Sequence, residues 1–132
     1  MSVDLSKYKD LFISETREYI DRLNELLINL EKDKENTDLI NEIFRLIHSI
    51  KGSSNIMGLN NLSALAHAME DVLSALRNGK IKVTADIIDL LLKGVDFIET
   101  MVSAYEEDKP LPSAEGIIKL LNNVTQAITN TS

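Results

Sequence analysis

Apolar residues recur at steps of three and four along almost the whole 132-residue chain, broken only by short polar runs. That spacing is the signature of amphipathic helices. Leu5, Tyr8, Phe12, Tyr19, Ile20, Leu23, Leu27 and Leu30 form a first stripe, along a helix of roughly 40 Å at ~1.5 Å per residue. The run EKDKENTD ends it, and Asn36 or Thr37 offers an N-cap for a second helix bearing Ile40, Ile43, Phe44, Ile47, Ile50 and Ser54. Gly58 stops that helix. A third, capped by Asn60 or Asn61, carries Leu62, Leu65, Met69, Val72, Leu73 and Leu76, and Gly79 of RNGK takes the usual C-terminal glycine position. Thr84 caps a fourth with Ile88, Leu91, Leu92, Val95, Ile98, Val102 and Tyr105; Gly94 is expected to weaken its middle, and the prolines of EEDKPLP forbid its continuation. Ser113 opens a fifth with Ile117, Leu120, Leu121, Val124 and Ile128, and the TNTS tail is expected to fray. Short connections make neighbours antiparallel. The expected fold is therefore all-α, an antiparallel up-down-up-down four-helix bundle with an additional C-terminal fifth helix, in one domain over residues 1–132.

Composition narrows the function. Fourteen Lys and Arg against 21 Asp and Glu leave a net charge of −7, which repels nucleic-acid backbones and anionic membranes. The chain has no cysteine, so thiolate chemistry and disulfides are excluded. No apolar run approaches the ~18 residues of a membrane span, and MSVDLSKYKD lacks a signal pattern. A soluble cytoplasmic protein is expected, without nucleic-acid or membrane partners.

The stretch HSIKGSS, from His48 to Ser54, is the chemically unusual one. At 100° per residue the apolar arc of the second helix centres near Ile43 and Ile47, and His48 falls about 120° away, outside the core. Lys51 follows one turn later, nearer the core margin, where its ammonium can reach the region beside the ring. Gly52 costs a helix roughly 1 kcal/mol relative to Ala, and Ser53 and Ser54 add little helix preference. Something other than helix stability accounts for them, and a cleared surface at Gly52 and Ser53 would let a large group approach. On the third helix Glu70 lies on the flank of its apolar arc, aimed at a neighbouring helix, while His67 is turned toward solvent. A carboxylate on Nδ1–H of His48 would fix the tautomer that leaves the Nε2 lone pair free, and a nearby Lys would offset charge on a transferring phosphoryl group.

Residues FRLIHSIKGSSNIMGLNNLSALAHAMEDVLSALRNGKI contain His-x-x-Lys-Gly-Ser-Ser, a glycine six residues past Gly52, His-x-x-Glu in the next helix, and an Arg-x-Gly turn. In these the chain resembles, over essentially its whole length, the histidine phosphotransfer domain at the N-terminus of the chemotaxis kinase CheA. The resemblance implies that His48 is phosphorylated at Nε2, that Glu70 hydrogen-bonds its Nδ1, and that Lys51 and His67 complete the site. It implies as partners a separate ATP-binding CheA kinase domain, which phosphorylates His48, and CheY-like and CheB-like response regulators, which take the phosphoryl group onto an aspartate. The chain carries no ATP-binding glycine-rich motif and no candidate dimerisation or receptor-coupling domain. It is expected to be a fragment of a longer kinase, to need no cofactor or metal of its own, and to accept and donate phosphate without using ATP. Two rival classes are a bundle that binds a metal through His48, His67 and Glu70, which lacks a fourth ligand and sets Lys51 against a cation, and a non-catalytic helical adaptor, which leaves Gly52 unexplained.

Overall fold

Each of the five apolar stripes becomes a helix in the computed structural model, which describes residues 5–130: α1 Leu5–Lys32, α2 Thr37–Ile56, α3 Asn60–Arg77, α4 Ala85–Glu106 and α5 Glu115–Asn130. No strand occurs among the described residues. Helix α1 packs on α2 and α4, and α3 on α2 and α4, which closes a four-helix bundle; α5 lies outside it against α3 and α4. The core is aliphatic. Leu23, Leu27 and Leu30 of α1 meet Ile43, Ile47 and Ile50 of α2, Leu62, Leu65 and Leu73 of α3, and Ile88 and Ile98 of α4, all essentially without solvent contact. Burying one such side chain stabilises the fold by about 1.5–3 kcal/mol relative to exposing it, so these stripes dominate the packing energy.

The helix ends follow local chemistry. Asn36 Oδ1 accepts from Leu39 N at 3.2 Å and Thr84 Oγ1 from Ile87 N at 3.2 Å, the expected N-caps of α2 and α4. Gly58 (φ +75°) and Gly79 (φ +73°) take the left-handed turns that end α2 and α3, with Leu59 N donating to Ser54 O and Lys80 N to Ala75 O, both at 2.9 Å. Asp108, at φ +58°, gives α4 the same ending, with Lys109 N donating to Ala104 O at 2.8 Å. A short polar side chain tolerates that conformation better than most.

Several expectations are corrected. Neither Asn60 nor Asn61 caps α3: Leu59 holds that place with no side-chain bond, and Asn61 Nδ2 instead donates to Leu111 O at 3.2 Å, tying the start of α3 to the connection before α5. Ser113 lies just ahead of α5, where its Oγ accepts from Glu115 N at 3.3 Å, and the first helical bond goes to Ala114 O. Tyr8 and Leu120 are 57% and 52% exposed, whereas Ile13, Leu26 and Met101 are buried. Tyr8 stands at the rim of the bundle beside Ile56 and Tyr105, and α5 buries only the face it turns to α3 and α4. The side chains of Leu5 and Ile128, also expected in the core, lie outside the described residues, as do Thr131 and Ser132 of the tail.

Gly94 is not a mere weak point. It is buried, and a Cβ there would stand 2.8 Å from Sδ and 2.9 Å from Cε of Met69, itself 1% exposed. The bare backbone of α4 is what lets Met69 of α3 settle against it. Gly94→Ala should be nearly neutral, the gain in helix preference offset by displacement of the thioether, whereas Gly94→Val should destabilise by about 1–3 kcal/mol through overpacking. Urea denaturation of both variants measures this, and equal midpoints would show that Met69 has room to move.

Candidate functional site

Helix α2 places His48 by its neighbours: Ile47 and Ile50 are fully buried, which turns the intervening His48 outward, its side chain 63% exposed. Lys51, three residues on, shares that flank. On α3 the fully buried Met69 and Leu73 fix the face from which Glu70 reaches across, its side chain only 13% exposed. Glu70 Oε2 lies 2.7 Å from His48 Nδ1, and Lys51 Nζ donates to Glu70 Oε1 at 2.8 Å. One carboxylate thus binds two donors from the neighbouring helix, one on each oxygen. Burial pushes the Glu70 carboxyl up, but the hydrogen bonds and charges of Lys51 and His48 outweigh it and hold it below the ordinary carboxylate value. An ionised carboxylate only accepts, so Nδ1 of His48 carries a proton, and in the neutral ring the lone pair is then on Nε2.

The other candidates fall beside this triad. Gly52 is exposed, and a Cβ there would meet nothing within 4 Å, so the turn after His48 is open. Ser53 is half-buried and spends its hydroxyl on its own helix, donating to Ser49 O at 2.9 Å. Ser54 is wholly buried and likewise donates to Lys51 O at 3.0 Å, a core residue rather than a surface one. His67 is not part of the hydrogen-bonded group formed by His48, Glu70 and Lys51. Its Nε2 lies 3.6 Å from Asp71 Oδ2 one turn along α3, beyond a true hydrogen bond, and its 63% exposed ring joins Lys51, Gly52 and Asn122 in lining a groove of about 600 Å³. Among the described residues no three His, Asp or Glu side chains are grouped so as to hold a metal ion, and both Glu70 oxygens are already engaged. No helix among them is long and apolar enough to cross a membrane.

Two residues beside the triad were not expected there: Phe44, placed above in the apolar stripe of the second helix, and Arg77. The ring of Phe44 lies 6.2 Å from that of His48 with the planes 6° apart, and the guanidinium carbon of Arg77 stands 4.1 Å from the Phe44 centroid. The four-residue step from Phe44 to His48 was a visible signal; the approach of Arg77 across helices was not.

The model of the Hpt domain family matches residues 7–108. The chain belongs to the Hpt domain family. This Hpt domain is 43% identical over 102 residues to the chemotaxis protein CheA of Bacillus subtilis, an alignment covering 77% of this chain and 15% of that protein. It is also 43% identical over 99 residues to the sensor histidine kinase CheAY of Helicobacter pylori, covering 75% of this chain and 12% of that protein. The chain therefore spans only 15% and 12% of the length of these relatives. Among solved structures it is similar to the CheA phosphotransferase domain from Thermotoga maritima, with a TM-score of 0.73 and 41% identity, over 75% of this chain and 94% of that one.

Because the folded state holds the Glu70 carboxyl below the ordinary value of 4.5, the unfolded chain takes up its proton first as pH falls. Its stabilising contribution is complete above about pH 4.5 and is lost as pH drops through the lower, folded value. The thermal midpoint of Glu70→Gln should accordingly lie furthest below that of the native chain above about pH 4.5, and the two should converge as pH falls through the lower, folded value. A gap that stays constant across this range would show that the bridge contributes nothing to stability.

Proposed function

We propose that this chain is the phosphohistidine carrier of a CheA-type chemotaxis kinase, and that the contact between Glu70 and Nδ1 of His48 is the observation that carries this reading. A neutral imidazole whose Nδ1–H is pinned presents an unprotonated Nε2, the form required of a nucleophile. In the first step Nε2 forms a bond to the γ-phosphorus of ATP held by a separate kinase domain, the bond to the bridging oxygen breaks, and ADP leaves. The ring, still protonated at Nδ1, gains positive character that the Glu70 carboxylate offsets. In the second step an aspartate oxygen of a CheY-like or CheB-like response regulator attacks the same phosphorus, the N–P bond breaks, and neutral imidazole returns.

Lys51 stands beside the ring with one ammonium proton committed to Glu70 and others available to the phosphoryl oxygens. His67 lines the adjoining groove, where it meets the partner rather than the phosphorus. In this reading the chain is one domain of a longer cytoplasmic kinase, the ATP site belongs to another domain, and no cofactor or metal is bound here. The open turn at Gly52 is the path by which either partner reaches Nε2.

Incubation with a CheA kinase domain and γ-labelled ATP should label His48 alone, as mapped by mass spectrometry under alkaline conditions. Label that persists in His48→Gln, or that resides on His67, would refute the assignment.

Gly52 separates stability from transfer. With nothing within 4 Å of its Cβ position, Gly52→Ala should stabilise the fold by about 0.4–1 kcal/mol, read from the unfolding midpoint. Gly52→Gln should fold as well yet transfer sharply more slowly, because a long side chain then stands in the approach path. A native transfer rate for that variant would show the open turn to be irrelevant to approach.

A further inference from the structure

A histidine side chain has two rotatable bonds, and a single hydrogen bond at Nδ1 fixes the ring at one point only. A ring so held can still swing about that contact and carry Nε2 through an arc. The direction matters as much as the position, because the lone pair of Nε2 lies in the ring plane and displacement at phosphorus needs nucleophile and leaving group roughly in line. Glu70 selects the tautomer, and something else must select the plane.

Phe44 stands one turn before His48 on the same flank of α2, with its ring parallel to the imidazole to within 6° at a centroid distance of 6.2 Å. That spacing is within the range over which aromatic pairs attract. Phe44 is itself held in place: its ring packs against the core, and Arg77, in the last turn of α3, sets its guanidinium 4.1 Å from the ring centroid. Neither residue has a part in the chemistry described above.

On the basis of the phosphocarrier reading, we infer that Phe44, clamped by Arg77, is a positioning residue that fixes the plane of the His48 ring and so aims Nε2 at the incoming phosphorus. The two constraints on His48 are then separable. Loss of the Glu70 carboxylate changes which nitrogen holds the proton, while loss of the Phe44 ring leaves the tautomer alone and broadens the orientation. Both constraints are delivered by α3, one as a carboxylate and the other as a guanidinium acting through Phe44.

Three variants of the 132-residue chain test this: Phe44→Leu, which keeps apolar bulk without a plane; Phe44→Tyr, which keeps the plane; and Arg77→Met, which removes the clamp from an exposed position. A groove of about 460 Å³, lined by Asp38, Asn41 and Arg45 among others, lies beside Phe44. Phosphoramidate serves as donor, because its P–N bond breaks as Nε2 bonds to phosphorus and the nitrogen departs as ammonia. No partner protein is needed, so docking does not enter the rate. Phe44→Leu should be phosphorylated about 2- to 12-fold more slowly, the loss of an aromatic pairing in the reactive geometry. Phe44→Tyr should react near the native rate, and Arg77→Met should fall between. NMR side-chain couplings of His48 should show rotamer averaging in Phe44→Leu, while its imidazole ¹⁵N shifts report an unchanged tautomer. A role in core packing alone would lower the thermal midpoint of Phe44→Leu and move neither signal. A native rate with an unaveraged ring in Phe44→Leu would overturn the inference, as would a Phe44→Tyr variant as slow as Phe44→Leu. Should Phe44→Leu fail to fold, a native rate and an ordered ring in Arg77→Met would overturn the clamp. Absence of label on native His48 would instead refute the phosphocarrier reading, and the ring-order comparison would still decide the positioning role.

Discussion

A carboxylate nearly out of solvent must be paired, and Glu70 is paired with two donors that both come from α2. This sets the tolerance for the rest of the molecule, because α2 and α3 can take only the register that brings His48 and Lys51 to opposite oxygens of one group. A slip of a single turn, about 5.4 Å, would strand the charge. The register is held by apolar side chains immediately beside the polar ones: Ile47 and Ile50 flank His48 and precede Lys51, and Met69 precedes Glu70. The site therefore inherits its geometry from the core rather than from a loop, and its reactive atom stands on a rigid helix wall.

The stripes were legible because a bundle buries one face of each helix, and a face repeats in sequence every three or four residues. Local chemistry was equally legible where it is carried by one side chain, as at Asn36, Thr84, Gly58 and Gly79. Periodicity failed at the margins. Tyr8 keeps the spacing but stands at the rim, and Leu120 faces away because α5 has neighbours on one side only. Asn61 is a good cap by type, yet a carbonyl fifty residues away engages its amide. Gly94 and the Phe44–Arg77 contact depend on which atom of one helix meets which of another, and neither leaves a trace in the spacing of a single helix.

Of the candidate site residues, His48, Lys51 and Glu70 were placed correctly by the wheel because each sits on the flank of an arc whose centre the core residues define. His67 was expected to complete the site, and its ring lines the adjoining groove together with Lys51 and Gly52. The two rival readings meet the same geometry differently. A metal would have to displace Lys51 from Glu70, and an adaptor has no use for a carboxylate that orients an exposed imidazole. The glycines divide along the same line: Gly94 is bare because another helix needs the space, and Gly52 is bare with nothing over it.

The exposed ring on a helix wall has a consequence for timing. A cleft can hold a donor on one side and an acceptor on the other, but a single nitrogen projecting from a helix can be faced by only one large body at once. On the proposed reaction, donor and acceptor must take turns at the same few square ångströms, and neither can form a three-way assembly around the phosphorus. On that reading the domain is a shuttle with one seat, and one visitor must leave before the next can arrive.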